Sequence, residues 1–403
     1  MRDATERLEM IQKEPWKRNL WILWLGVILS SASYTMVVPF LPLYLLKIGV
    51  DEGSIKLWSG VIFSSAFFVG AIMAPYWGAR ADKSGKRRMV IRAGISLSIV
   101  YFLGALVQNP WELLAVRMVQ GFVSGFVPAS MAIVATTIPK NKMGWSLGLM
   151  QTASATGGIL GPLFGGALSH LFGMRMSFVV ASLVILIGTI AVWLFVYEKK
   201  STQAKQSTRI VEDFKVAWEN RLLFRMLVLS FIVQIINLIL QPLITLYVAE
   251  LQGGLEGAEL YSGVLFSLTG IAGIIAAPIW GRIGQERGYL KILFVAMLGA
   301  GLIYLFQILV TKIWQFGTIQ FLFGLFLAGV VPAIQAIVVN NTEEDFRGRA
   351  FGLTTGANQL GAMIGPLLGG LIGSYAGIRS VLVMTGVCLC MTALYVRRLR
   401  MDR

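Results

Sequence analysis

The stretch W-G-A-R-A-D-K-S-G-K-R-R-M, residues 77–89, decides how the rest of the chain is read. Arg80, Lys83, Lys86, Arg87 and Arg88, with Arg92 just beyond, surround a single acid, Asp82, and Gly78 and Gly85 bracket the turn. On both sides lie runs of about twenty mostly apolar residues. That length suits a helix rising ~1.5 Å per residue across a ~30 Å hydrocarbon core. A tight basic loop between two such runs belongs on the cytoplasmic surface, because short cytoplasmic loops carry the excess of Lys and Arg.

Composition agrees. The 403 residues are 56% hydrophobic and only 14% charged, with mean hydropathy +0.72, whereas soluble domains carry about 25% charged residues. The chain therefore reads as a polytopic membrane protein whose standing partner is the lipid bilayer. A net charge of +15 invites a nucleic-acid reading, but the cations follow topology rather than forming a binding face, so no nucleic-acid partner is expected. Cys388 and Cys390, two residues apart, point to different faces of a helix and imply no disulfide. His170 is the sole histidine, so no metal site and no cofactor are expected. The polar N-terminus runs to Arg18 with no small-residue cleavage site after the first apolar run, so no cleavable signal peptide is expected.

Twelve spans follow, at roughly 19–46, 56–77, 89–108, 111–137, 143–169 and 174–197, then 223–249, 259–281, 289–310, 313–339, 346–373 and 378–396. The expected organisation is a cytoplasmic segment 1–18, a six-helix half 19–197, a linker 198–222, a second half 223–396 and a cytoplasmic tail 397–403. Of 35 Lys and Arg, 29 fall on the face that holds both termini, which assigns that face to the cytoplasm. In the linker, Val211, Phe214, Trp218 and Leu222 stand at helical spacing and suit an amphipathic helix on the inner leaflet, or a solvated segment.

The two halves repeat. Pro39 and Tyr44 recur as Pro242 and Tyr247, W-S-G at Trp58 as Y-S-G at Tyr261, and A-P-Y-W-G at Ala74 as A-P-I-W-G at Ala277, all offset by 203. One residue later in register, Gly161-Pro162 with Gly165-Gly166 recurs as Gly365-Pro366 with Gly369-Gly370. Six spans per half give both repeats the same orientation, related by an axis along the membrane normal.

The basic loop resembles the G-x-L-A-D-R-x-G-R-K signature of the major facilitator superfamily through Gly78, Ala81, Asp82, Lys83, Gly85, Lys86 and Arg87, with Arg80 where the family usually has Leu. Gly157, Gly161, Pro162 and Gly165 of the fifth span resemble the G-x-x-x-G-P-x-x-G-G signature of that superfamily's exporters. Leu114–Gly121 resembles the fourth-helix signature whose Arg, here Arg117, is associated with proton transfer. W-K-R-N-L at Trp16, P-F-L-P-L-Y at Pro39, G-F-V-P-A at Gly125 and P-K-N-K-M-G-W-S-L-G at Pro139 extend the resemblance to drug:proton antiporters over nearly the whole chain. The resemblance implies an all-α fold of twelve helices in two pseudo-symmetric halves and multidrug efflux coupled to protons. Asp82, Gly78, Gly85, Lys86, Arg87 and the fifth-span motif would act in gating. It also implies that helices one, four, seven and ten line the central cavity.

Arg117 is either turned to the bundle interior or snorkelling to the headgroups, since a charge at mid-bilayer costs ~2.5–3.5 kcal/mol on insertion scales. Gln120 and Ser124 follow it on one face. Ser30 and Tyr34 of the first span, Gln234, Asn237 and Gln241 of the seventh, Gln335 of the tenth and Asn358 of the eleventh, next to Gln359, complete the substrate and proton pathway, with Glu112, at the outer end of its span, as an outer carboxylate that couples transport to protons together with Arg117. Each of these polar groups is read equally well as an interhelical hydrogen bond. None of the 20 acids lies in the middle of a span, so a neutral, zwitterionic or anionic substrate suits Arg117 better than a lipophilic cation. A metabolite or lipid transporter of the same fold is the alternative. An intramembrane enzyme would need clustered His, Asp or Glu, and no G-x-x-x-x-G-K-[ST] occurs. The expected protein is a monomeric secondary exporter of a bacterial inner membrane, with a small-molecule substrate and protons as partners and no catalytic residue.

Overall fold

A computed structural model describes residues 15–198, 210–343 and 346–401. The expected N-terminal segment up to residue 14, the first part of the linker and residues 402–403 lie outside them. The described chain is all helix, and twelve spans cross in two pseudo-symmetric sets of six. Spans 2, 3, 5 and 6 are single helices, Ile55–Ser84, Lys86–Leu106, Met143–Phe172 and Met174–Phe195. Their counterparts, spans 8, 9, 11 and 12, are Ala258–Arg287, Tyr289–Leu305, Arg347–Ala376 and Ile378–Met401.

Spans 1, 4, 7 and 10 are each broken. Span 1 is Pro15–Val37 and Leu41–Lys47, span 4 Pro110–Val123 and Phe126–Thr137, span 7 Arg221–Ile239 and Ile244–Gln252, span 10 Ile313–Leu327 and Val330–Asn340. The spans expected at 111–137 and 313–339 are present as Pro110–Thr137 and Ile313–Asn340. Three of the four breaks carry a residue unsuited to a continued helix: Pro39 and Pro242 lack a backbone donor, and Gly125 has φ +132, which an L side chain rarely adopts.

Ten of the spans are long and apolar enough to cross a membrane by composition; the glycine-rich spans 5 and 11 are not. Their low hydropathy suits their position, because these two helices, with spans 2 and 8, form the seam between the halves. A Cβ built on Gly60 would lie 2.6 Å from the Pro366 carbonyl, and one on Gly166 would lie 2.6 Å from the Glu259 carbonyl. Gly60–Gly370 and Gly166–Gly263 are thus symmetry-related backbone-to-backbone contacts that only glycine permits. Thr245 Oγ1 donates to the Pro39 carbonyl (2.7 Å) and Ser267 Oγ to that of Ile159 (2.6 Å), while Lys47 pairs with Glu259 at 3.9 Å. All lie in the membrane half away from the cation-rich loops, so the seam is shut there and the halves part toward the cation-rich face.

Each set of six has its own buried apolar cluster, one around Leu23, Phe63, Phe126 and Ile185, the other around Leu229, Leu293, Phe316 and Leu389. Large apolar side chains such as Ile99, Leu194 and Leu302 stay exposed on the outside, where they meet lipid. The second part of the linker forms a helix, Ile210–Glu219, tied to the start of span 11 by an Asp213–Arg349 pair at 3.1 Å. Its Phe214 and Trp218 remain exposed.

A branched side chain at the seam would wedge it open. Gly60→Val and Gly166→Val are each expected to lengthen the distance between spin labels at Glu52 and Glu256, on the loops after spans 1 and 7. Wild-type distance distributions in both variants would show that the seam does not depend on these glycines.

Candidate functional site

Within the half that ends at span 6, spans 1 to 5 enclose a cavity of about 640 Å³ that runs from Ser30 and Tyr34 to Asp82 and Lys86 at the cation-rich face. Arg117 is 1% exposed and is not among the lining residues, but its neighbours Gln120, Tyr101 and Tyr34 are. Its Nε donates to the Ile62 carbonyl at 3.4 Å and its Nη1 to Gln120 Oε1. Gln120 Nε2 in turn donates to the Tyr101 hydroxyl at 3.1 Å, and the Tyr34 ring centroid lies 5.9 Å from the guanidinium carbon. Arg117 is therefore turned into the bundle, and the snorkelling orientation does not occur. Its Nη2 and the Tyr34 hydroxyl are buried with no hydrogen-bond partner among the described residues.

Glu112 does not join this cluster. Its carboxylate accepts from the Gln108 amide (2.8 Å) and the Asn109 side chain (2.7 Å), while Asn109 Oδ1 accepts from the Glu112 amide (3.0 Å). The residue caps its own helix at the outer end of span 4, because the first amides of a helix lack intrahelical partners.

The polar side chains of the other half stand apart from the cavity. Gln234 packs its Cβ against Gly361, Asn237 Oδ1 and Gln241 Oε1 are buried without a partner among the described residues, and Gln335 is exposed. From span 11, Gln359 rather than Asn358 reaches the cavity wall, since consecutive helical residues point about 100° apart. No residue of spans 7 or 10 is among those that line this cavity.

The fifth-span motif is a packing surface. Gly157, Gly161 and Gly165 all face span 1, at Ile28, Ala32 and Met36, and Thr35 Oγ1 donates to the Gly157 carbonyl at 3.0 Å. Gly361 and Gly365 face span 7 in the same manner. Close approach of two backbones accounts for both copies, with Pro162 and Pro366 buried in the same helices.

The basic loop is anchored at one end and free at the other. Gly85, at φ +95, ends span 2 and starts span 3. The first two amides of span 3, Lys86 and Arg87, donate to the Glu198 carboxylate at 3.0 and 2.8 Å, an anion placed at a helix N-terminus. The Arg87 guanidinium donates to the Trp193 carbonyl. Gly78 has open space where a Cβ would stand, and the Asp82 carboxylate, 66% exposed, has as its ion-pair partner among the described residues Lys86 at the start of span 3, at 3.9 Å.

Sequence reasoning missed Trp77, Arg92 and Trp280. At the break in span 4, Trp77 Nε1 donates to the Phe122 carbonyl (2.6 Å) and Arg92 Nη2 to that of Ser124 (3.3 Å), with the Arg92 guanidinium 3.5 Å from the Trp77 ring centroid. At the break in span 10, Trp280 Nε1 donates to the Leu325 carbonyl (2.7 Å). The pair obeys the 203-residue offset, so the signal was present in the repeated A-P-x-W-G. Arg92 has no counterpart, since Val295 takes its place.

The chain belongs to the major facilitator superfamily, whose profile matches residues 23–313 and 254–403, and is thus a secondary transporter rather than an enzyme. More particularly, it is 35% identical over 382 residues to multidrug resistance protein MdtG of Escherichia fergusonii, covering 94% of each chain. It is 34% identical to the protein of that name from Salmonella arizonae, covering 94% of this chain and 95% of that one. Among solved structures it shares its fold with a bacterial homologue of the human lysosomal transporter Spinster, inward-facing and unoccupied. The TM-score is 0.78 at 15% identity, over 95% of this chain and 96% of that one. The nucleoside transporter NupG gives a TM-score of 0.78 at 13% identity, over 94% and 99% of the two chains.

Removing either indole donor leaves a carbonyl unanswered at a helix break. Both Trp77→Phe and Trp280→Phe are expected to lower the Tm of the purified protein, Trp280→Phe by more, because its bond is part-buried and the carbonyl it leaves cannot turn to water as readily as that of the exposed Trp77 bond. An unchanged Tm in both variants would mean that the breaks stand without these bonds.

Proposed function

We propose that this protein exports small amphipathic compounds across a bacterial inner membrane in exchange for protons, with its termini and cation-rich face in the cytoplasm. Multidrug resistance proteins over a third identical along nearly the whole chain support the export of drug-like molecules, and proton coupling is typical of the superfamily. The partition of Lys and Arg supports the orientation. With a sealed seam on the opposite side and a cavity open below, the state described is inward-open, ready to take substrate from the cytoplasm. A single chain carries the complete cavity, which supports a monomer.

One observation carries the substrate reading: Arg117 is buried with no carboxylate among its partners and with one nitrogen unanswered beside an unanswered tyrosine hydroxyl. Such a site favours a neutral, zwitterionic or anionic group over a cation, since an incoming acceptor completes the guanidinium and a cation is repelled. Asp82 at the cavity mouth serves gating. In the outward-open state the halves close at the cytoplasmic face, bringing Asp82 to the N-terminus of span 11, whose positive dipole end stabilises a carboxylate. Alternating access is then biased by a contact made in one state alone.

Three outcomes are expected. In proteoliposomes with an imposed pH gradient, transport of a drug panel stops when a protonophore collapses the gradient and is indifferent to ATP; the reverse pattern would refute proton coupling. Arg117→Ala abolishes transport at near-normal membrane expression, and Arg117→Lys, which keeps the charge without the planar fork, retains partial activity; full activity in Arg117→Ala would remove the residue from the mechanism. Asp82→Asn shifts the population inward by a factor of about two to thirty, as dipole energies of ~0.3–2 kcal/mol require, seen as longer distances between spin labels at Ser84 and Arg349. An unchanged distribution with unchanged transport would leave the loop as a topology anchor.

A further inference from the structure

Arg117 is not among the residues that line the main cavity, whereas Arg92 is. Span 3 carries Arg92 six residues beyond its start at Lys86 and nine residues before Tyr101. At ~1.5 Å per residue, Arg92 is rooted roughly 9 Å in from the cation-rich end of the helix and roughly 13 Å short of Tyr101. Tyr101 belongs to the cluster that holds Arg117 through Gln120. A solute that enters from the cation-rich face therefore reaches Arg92 first.

The Arg92 side chain is held in place without being neutralised. Its guanidinium carbon lies 3.5 Å from the Trp77 ring centroid, and its Nη2 donates to the Ser124 carbonyl at 3.3 Å. A guanidinium has five N–H donors, and that bond engages one of them; Nε is buried with no partner among the described residues. Asp82 is the one acid in the cavity lining, and its ion-pair partner is Lys86. Among the described residues no ion pair reaches Arg92. The helix break does not account for the charge either. The matching break in span 10 stands with the Trp280 bond and with Val295 in the place of Arg92. A half-buried cation without a counterion is costly, and the other half shows that the scaffold can be built without it.

We propose that Arg92, stacked on Trp77, selects an anionic group on the transported compound as that compound enters the cavity from the cytoplasm. The inference rests on the reading of this cavity as the substrate's, and gives it a second polar position besides Arg117. A carboxylate or sulfonate accepts from the remaining Nη protons of Arg92 in charge-assisted bonds, roughly twice as strong as neutral ones. The apolar body of the compound lies against Phe67, Ala74 and Met89. Stacking on the indole keeps the guanidinium flat, so its edge is presented to the anion as a planar fork. A neutral compound gains nothing from this position and a cation is repelled by it. Deeper in the cavity, the unanswered Arg117 Nη2 and Tyr34 hydroxyl take over the same acceptor.

Equilibrium binding to the purified full chain tests this with two probes that differ in charge alone, dansylglycine and its neutral amide dansylglycinamide, read by fluorescence anisotropy. The wild type is expected to bind the carboxylate more tightly than the amide. Arg92→Gln should weaken dansylglycine on the order of tenfold, the loss of a hydrogen bond to a charged group, and leave dansylglycinamide unchanged, which also reports an intact cavity. Arg92→Val, which copies the other half, should behave like Arg92→Gln, and Arg92→Lys should keep part of the preference. Equal affinity of the wild type for the two probes would overturn the proposal while leaving the cavity as the substrate's site. A preference that survives Arg92→Gln and Arg92→Val but disappears in Arg117→Ala would overturn it in favour of Arg117. Binding of neither probe by the wild type would overturn both this proposal and the reading of the cavity on which it rests.

Discussion

Hydrocarbon offers no hydrogen bonds, so a helix that breaks inside the membrane must find partners within the protein for the groups it frees. Four spans break here, and in spans 4 and 10 the answer is an indole donor from the neighbouring helix, Trp77 for the Phe122 carbonyl and Trp280 for the Leu325 carbonyl. Because the donor sits on a different helix, the bond also fixes how spans 2 and 4, and spans 8 and 10, lie against one another. The cavity wall can then bend without exposing bare backbone to lipid.

The two halves share this scaffold and differ in what is built on it. The N-terminal half adds Arg92 beside Trp77 and Arg117 beside the lining of the cavity; the C-terminal half has Val295 and Gln320 in the corresponding places. Removing a charge from water is costly unless it is well partnered, and Arg117 meets that cost with a carbonyl, a glutamine oxygen and a tyrosine face instead of an acid. The result is a cation held in place but not neutralised. A structural ion pair would have cancelled that charge.

The seam and the basic loop divide the remaining work. Paired glycines at Gly60–Gly370 and Gly166–Gly263 let the halves close backbone against backbone on one side. Small residues are what allow such contact where lipid supplies no hydrophobic drive between helices. On the other side, Glu198 holds the start of span 3 by its first amides, which leaves Asp82 exposed and unengaged by the opposite half. One part of the loop is fastened so that another part is available.

The apolar runs, the partition of Lys and Arg and the 203-residue repeat were enough by themselves to determine twelve spans in two like-oriented halves. Insertion into a bilayer is decided by local hydropathy and flanking charge, both properties of short stretches. Arg117 with Gln120, and separately Ser30 with Tyr34, were legible as polar faces, since helical spacing fixes which residues of a single helix share a face. What no spacing could decide was the rotation of one helix against another. Only tertiary packing put Gln359 instead of Asn358 on the cavity and paired the start of span 3 with Glu198, more than a hundred residues away. It also made the fifth-span glycines a bed for span 1. Each of these outcomes depends on which side chain of a distant element occupies the space first, and that is a property of the assembled bundle.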